Sequence, residues 1–147
     1  MKLLIQKVNY SKVYSSNKLM GSISKGYQVY VGFSQQDDSS KLEKAARKLL
    51  NLRTYRDDNK GFQLSIKEKG YDIILIPQFT LYGDCSQGNR PNFKKSLDFD
   101  KAKKLFEEFF NMLDNSCDNK IVNPKTFGCE MNIENSVKGP VSLIIEI

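Results

Sequence analysis

The run Gly70-Tyr71-Asp72-Ile73-Ile74-Leu75-Ile76-Pro77 decides the architecture. Its unbroken apolar centre, rich in β-branched residues, leaves no polar face, so residues 71–76 read as a short strand in a sheet covered on both faces. Pro77 has no amide to give to a ladder and ends that strand or sets it at an edge. Upstream, Gly26 opens a second buried strand at residues 27–33, where Tyr, Val and Phe dominate. Residues 3–8, 12–15 and 18–23 read as further strands, the last two around a Ser16-Asn17 turn, so a meander opens the fold. Asp37-Asp38-Ser39-Ser40 offers N-capping oxygens, and Leu42, Ala45, Ala46, Leu49 and Leu50 follow at helical spacing within residues 41–52. Lys41, Lys44 and Lys48 fall on the opposite face, where a solvated helix surface is the commoner reading than an RNA contact. Asp57-Asp58-Asn59-Lys60-Gly61 is turn chemistry.

Past Pro77, Asp98 or Asp100 can cap a second helix running to about residue 113, with Ala102, Leu105, Phe106, Phe109 and Met112 or Leu113 inward. A polar loop over residues 115–125 carries a short strand at Ile121-Val122. Residues 130–137 and 140–147 read as two closing strands, the second placing Val141, Leu143, Ile145 and Ile147 on one face. The order of strands, helix, strands, helix, strands predicts an α/β fold with mixed sheets and helices packed on one side.

The chain has 147 residues, 39% of them hydrophobic, which suits one core and one domain over residues 1–147. It contains no histidine, which removes Ser-His-Asp and Cys-His catalysis, HExxH zinc hydrolysis and histidine proton shuttling together. Cys85, Cys117 and Cys129 are odd in number and widely spaced, so neither a disulfide framework nor a thiolate metal site is expected, and a reducing cytoplasm fits. No stretch is long enough to span a membrane, and the opening residues break their apolar run at Gln6 and Lys7 rather than forming a leader. The 23 Lys and Arg against 17 Asp and Glu give a formal charge of +6, which favours a polyanionic partner about as much as it favours simple solubility.

Two segments carry residue types that are costly or special for a backbone. The first, Pro77-Gln78-Phe79-Thr80-Leu81-Tyr82-Gly83-Asp84 with Gly88-Asn89-Arg90-Pro91-Asn92-Phe93, begins where a buried strand ends, a common place for ligand sites in α/β sheets. Read structurally, Phe79 and Leu81 are core and Gly83-Asp84 a turn. The second is Val137-Lys138-Gly139-Pro140-Val141-Ser142, which on its residues alone reads as a trans Gly-Pro turn between strands.

Together the two segments resemble the signatures of the D-aminoacyl-tRNA deacylases, SQxxL near mid-chain and NxGPxT near the C-terminus, with PQFTL and VKGPVS standing at those places. The likeness extends to LIQKV, YVGFSQQDD, LNLRTYRDDNKG, GNRPNF and TFGCEMNI, and so covers essentially the whole chain. It implies a three-layer α/β/β fold and a homodimer with each active site at the subunit interface, no metal or cofactor, and aminoacylated tRNA rather than DNA as partner. It implies hydrolysis of D-aminoacyl esters, and of glycine misattached to tRNA. Carried over, Gly139 and Pro140 form a cis chirality filter that enters the partner's pocket and excludes an L side chain. Amides around Phe79 and Thr80 form the oxyanion hole, Gln78 positions substrate, and the ribose 2′-OH helps activate water.

Four positions depart from the pattern: Pro77 stands for the usual Ser, Lys7 for the Arg that braces the Gly-Pro loop, Val137 for Asn and Ser142 for Thr. A Pro-Gln start also occurs in the related animal-type deacylases, which carry a trans Gly-Pro and remove L-alanine from mischarged tRNA. The alternatives are L-alanyl editing, motivated by Pro77 and Val137, and a non-catalytic tRNA-binding dimer, motivated by Lys7, Val137 and the basic charge.

Overall fold

The computed structural model describes residues 1–57 and 61–147. The Asp57 to Gly61 turn expected from sequence lies partly outside the described residues. Among the described residues, eight strands and three helices run in the order β1 (Lys2–Ser15), β2 (Lys18–Ile23), β3 (Gly26–Gly32), α1 (Leu42–Asn51), β4 (Arg53–Asp57), β5 (Gly61–Ser65), α2 (Ile66–Lys69), β6 (Asp72–Pro77), α3 (Phe99–Asp114), β7 (Ile121–Val122) and β8 (Asn132–Glu146).

β6 is the strand that its apolar run predicts. It lies parallel to both β3 and β7, while β3 runs antiparallel to β1, so the sheet is mixed. Ile73 and Leu75 point to the core shared with α1 and α3, whereas Ile74 and Ile76 pack on the opposite face with Val8, Val13 and Ile23. All four β6 residues are fully buried, each worth roughly 1.5–3 kcal/mol over exposure. The opposite face is covered by the sheet itself: β2 and the distal parts of β1 and β8 curl over it, bringing Ile23, Val13 and Ile133 onto Ile74 and Ile76. Helices, central strands and curled-over strands are the three layers expected, and the mixed sheet nearly closes on itself.

Both helices form where the periodicity places them. Asp38 caps the short 3-10 turn that leads into α1, and Asp98 caps α3, whose buried face is Ala102, Leu105, Phe106, Phe109 and Leu113. Asp37 serves differently. Its carboxylate accepts from Lys41 Nζ at 2.6 Å, from the Met1 amino group at 2.7 Å, and from the Ser34 amide and hydroxyl at 2.7 and 2.9 Å. Burial alone would raise its pKa, but these donors outweigh it and bring the carboxyl down to about 2.

Four features depart from the sequence reading. Residues 3–8 and 12–15 are one strand, β1, because β8 pairs along its whole length and bridges the intervening polar residues. Residues 130–137 and 140–147 are likewise parts of one strand, β8, whose pairing with β1 lapses at residues 138–141 and resumes on either side. Leu143 does not join Val141 and Ile145 in the core. It is 40% exposed beside Ile144 at 67%, since β8 is paired to β1 alone and no layer covers that stretch. The β4–β5 hairpin and α2 are hidden in the sequence by polar, weakly alternating residues. α2 is fixed by a capping box between Ser65 and Glu68 and closed by Gly70 in the left-handed region.

Two outcomes follow from these contacts. A Cβ on Gly26 would lie 1.8 Å from the Asp72 carbonyl oxygen, so Gly26→Ala should force β3 and β6 apart and lower the urea unfolding free energy by about 2–3 kcal/mol or more. Asp37→Asn should be destabilised at neutral pH. Because the native carboxyl pKa is depressed, its contribution is fully present above the ordinary value of 3.8 and is lost as pH falls toward about 2. Unfolding midpoints of the two proteins, measured across that range, should therefore converge at the acid end.

Candidate active site

Pro77 ends β6, and the chain turns into a 3-10 turn over Phe79–Tyr82 with Gln78 as its cap residue. The backbone donors of this segment can be assigned one by one. Pro77 has none, the Gln78 amide donates to the Val31 carbonyl at 2.8 Å, Leu81 donates to the Gln78 carbonyl at 3.3 Å, and Gly83 donates to the Thr80 carbonyl at 2.9 Å. Phe79 and Thr80 open the turn, where amides have no intrahelical acceptor. Both residues are exposed, and the Gln78 side chain does not cap them. Its Nε2 instead donates to the Thr80 hydroxyl. The result is a pair of neighbouring N–H groups on a rigid strand end, which can stabilise a developing oxyanion.

The turn is braced from two sides. Gly32 on β3 lies so close that a Cβ there would come within 2.9 Å of the Gln78 carbonyl oxygen, which seats the turn on the sheet. On the other side, Ser96 Oγ donates to the Phe79 carbonyl at 3.1 Å, and Phe93 meets the Phe79 ring edge to face at 5.1 Å. The Gly88 to Phe93 segment is thus held against the turn by the bridge between Asp84 and Asn92. Asp84 also accepts from Ser86 and Lys95, which hold its carboxyl well below the usual range.

Pro77, Gln78 and Phe79 border a cavity of about 410 Å³ whose other walls are largely apolar, among them Phe99, Ala102, Phe127 and Gly128. Phe127 packs edge to face on Phe99 at 5.2 Å, and Gly128 fits under that ring. Sequence reasoning does not single out Phe99 or Phe127 as site residues, because an aromatic at a helix start or in a loop gives no signal beyond core packing. Their place beside the turn is a product of tertiary structure.

Gly139 and Pro140 lie elsewhere, on the second cavity, of about 470 Å³, with Lys7 and Lys138. Among the described residues, none lines both cavities. The peptide between Gly139 and Pro140 is cis, the form that the resemblance implies and not the trans turn read from the residues alone. Pairing of β1 with β8 passes from Gln6–Ser142 to Val8–Val137, so residues 138–141 stand opposite Lys7 alone and are pushed out of the ladder. Lys7 does not bond the Gly-Pro carbonyls. Its ammonium donates to the Thr54 carbonyl at 3.1 Å and sits 4.1 Å from the centre of the Tyr55 ring. Burial, then Lys138, Arg56 and Lys69, lower its pKa. Gly139 has open space where a side chain would be, so nothing within the chain requires glycine there.

Among the described residues, no group of three or more His, Cys, Asp or Glu side chains converges as metal ligands would, and no helix is long and apolar enough to cross a membrane. A strand-end turn with free amides, a positioned glutamine amide and hydroxyl, and an adjoining apolar cavity can serve a hydrolase.

Known proteins with this sequence pattern and fold specify which. The sequence profile of the D-Tyr-tRNA(Tyr) deacylase family matches residues 4–146, and the chain belongs to that family, whose members are hydrolases acting on aminoacyl-tRNA. It is 41% identical over 148 residues to the D-aminoacyl-tRNA deacylase of Clostridium perfringens, covering 99% of this chain and 97% of that protein. It is 37% identical over 150 residues to the D-aminoacyl-tRNA deacylase of Desulfatibacillum aliphaticivorans, covering 99% of each. Among solved structures, a c-Myc DNA unwinding element binding protein superposes with a TM-score of 0.92 at 30% identity over 100% of this chain and 99% of that one. A eukaryotic protein described as a probable D-amino acid tRNA deacylase shares the fold, with a TM-score of 0.84 at 18% identity over 99% and 98% of the two chains.

Separating backbone from side chain at the turn gives a direct check. Pro is tolerated at the first position of a helical turn, so Phe79→Pro should fold while losing the Phe79 N–H. Deacylation by that variant should fall about 100-fold or more, against a far smaller loss for Phe79→Ala, in single-turnover assays on aminoacyl-tRNA.

Proposed function

We propose that this chain hydrolyses the ester of D-aminoacyl-tRNA as a homodimer, releasing the free D-amino acid and tRNA in the cytoplasm where tRNAs are charged. The observation that carries this reading is the separation of two half-sites: the Pro77 to Thr80 turn borders one cavity and the Gly139–Pro140 loop another. A second copy of the chain supplies what each lacks. The loop of one subunit enters the partner's cavity, and the exposed Val137, Leu143 and Ile144 on the unpaired side of β8 give the two copies apolar surface to bury.

In that arrangement water attacks the ester carbonyl. The negative charge that develops on its oxygen is met by the Phe79 and Thr80 amides, and collapse of the tetrahedral adduct expels the ribose oxygen. Gln78 and the Thr80 hydroxyl, joined by their hydrogen bond, position the ester, and the substrate's own 2′-OH assists the attacking water. The Gly139 and Pro140 carbonyls face the α-carbon and leave no room for an L side chain, so selection works by exclusion. Glycine, with no side chain, passes the filter and is cleaved when misattached. Pro77 costs nothing in this scheme, since the amide it lacks is not one of the two donors, and Lys7, opposite the loop, ties β1 to β4 through Thr54 and Tyr55.

Purified protein incubated separately with D-Tyr-tRNA and L-Tyr-tRNA should release tyrosine from the D-ester alone. Loss of both labels would sink the exclusion filter, and loss of neither would move the reading to L-alanyl editing or to binding without turnover. Gly139→Ala should unfold within about 0.5 kcal/mol of wild type, because its Cβ meets nothing in the chain, yet lose about 100-fold or more in D-Tyr-tRNA cleavage. Thr80→Ala should retain measurable activity, having lost only a positioning hydroxyl. A variant as inactive as heat-denatured protein would make Thr80 a nucleophile.

A further inference from the structure

The cavity beside the Gly139–Pro140 loop has a charge pattern that ester hydrolysis leaves unexplained. Of the thirteen described residues that line it five are cationic, Lys7, Lys25, Arg56, Lys69 and Lys138, and none of the thirteen is acidic. They arrive from five separate places: β1, the turn before β3, β4, α2 and the expelled segment of β8. A helix that is merely lysine-rich on its solvent side, such as α1, does not produce convergence of this kind.

Elsewhere five lysines are paired, Lys2 with Glu146, Lys12 with Glu134, Lys41 with Asp37, Lys95 with Asp84 and Lys125 with Glu107, and unpaired ones such as Lys44, Lys48 and Lys104 lie along helix surfaces and line no shared concavity with the five. None of the five cations in the cavity is in an ion pair among the described residues. Four of them are exposed, and the fifth, Lys7, is partly buried. Unneutralised like charges gathered in a concavity repel one another, and a polyanion relieves that repulsion while releasing its own counterions. The depressed pKa of Lys7, caused by burial and then by Lys138, Arg56 and Lys69, is consistent with this crowding.

Aromatic surface accompanies the charge. In the β4–β5 hairpin Phe62 stands directly opposite Arg56 and is 46% exposed, while Tyr55 and Tyr71 line the floor. A basic groove with an exposed ring is how proteins hold single-stranded nucleic acid: cations follow the backbone and the ring accepts a base face.

We propose that this cavity binds the phosphodiester backbone of the single-stranded 3′ end of tRNA, just upstream of the aminoacylated ribose. The inference rests on the dimeric deacylase reading, in which the loop at the cavity's rim completes the partner's site. A strand entering that site passes over the Arg56, Lys69 and Lys25 side chains of the subunit that lends the loop. Those three residues then set affinity for tRNA without taking part in ester cleavage.

The test compares wild type with Arg56→Ala/Lys69→Ala on two substrates, D-Tyr-tRNA and the phosphate-free ester 3′-O-(D-tyrosyl)adenosine. The double variant should raise KM for D-Tyr-tRNA about 10-fold or more with kcat little changed, and should cleave the adenosine ester as wild type does. The slope of log Kd against log salt for uncharged tRNA should become shallower by about 1.4, about 0.7 for each phosphate that the variant no longer neutralises. Arg56→Lys/Lys69→Arg, which keeps both charges, should retain most of the tRNA affinity. Unchanged KM and salt slope would overturn the proposal, as would equal loss on both esters, since that would place the cations at the chemistry. Wild-type protein that cleaves neither ester would reject the deacylase reading instead, and the salt slope would still decide whether this surface binds tRNA.

Discussion

The break in register between β1 and β8 is the constraint on which the rest of the molecule's functional geometry depends. Backbone donors and acceptors in a ladder must be paired, and β8 follows β1 nearly end to end. Where four residues, 138–141, face the single residue Lys7, the surplus leaves the ladder, with Lys138, Gly139 and Pro140 exposed and Val141 turned into the core. The strand segments on either side fix both ends of the expelled loop, so Gly139 and Pro140 are presented by a rigid frame and not by a free tip. A separate irregularity between Val8 and Tyr10, where β1 carries one more residue than β8, shifts the alternation of β1: Leu3 and Ile5 point to the helices, while Val13 joins Val8 in the opposite core where the sheet curls over itself.

The second half of the site follows from the opposite end of the sheet. β6 is buried on both faces, so it cannot shift, and Pro77 closes it without an amide to satisfy. Val31 takes the Gln78 amide, and the turn consumes the amides of Leu81 and Gly83, which leaves the first two donors of the turn for a ligand. A chain without histidine can thus present oxyanion-stabilising groups that no composition-based search for nucleophiles and bases would find. In the proposed dimer the two halves meet across the subunits, and the exposed Val137, Leu143 and Ile144 of β8 lie next to the loop that crosses in that arrangement.

Much of this was legible in the sequence, for identifiable reasons. The run from Ile73 to Ile76, short, β-branched and bounded by Gly70 and Pro77, reads as a doubly buried strand, and the spacing of Leu42 to Leu50 and of Ala102 to Leu113 reads as helical faces. Pro77 to Thr80 and Gly139–Pro140 stood out because proline and glycine restrict or release the backbone in ways that ordinary side chains do not. What was hidden depends on distant partners. The continuity of β8 through a Gly-Pro pair is imposed by β1, the hairpin Arg53 to Ser65 has too little alternation to be seen, and Leu143 reads as core because exposure at a sheet edge leaves no trace in a strand's pattern. The basic cavity is the extreme case: its five cations are spread from Lys7 to Lys138 and only folding makes them neighbours.

The central claim, that each active site joins the turn of one subunit to the Gly-Pro loop of the other, is tested most directly by mixing two inactive variants. Phe79→Pro disables the turn and Gly139→Ala the loop. Equal amounts unfolded together and refolded form heterodimers in which one site carries both defects and the other carries neither. If the site is shared across the interface, the mixture should recover about a quarter of wild-type D-Tyr-tRNA cleavage, because about half of the dimers are mixed and each has one intact site. A mixture as inactive as either parent would contradict the account, since it would mean that the turn and the loop must belong to the same chain.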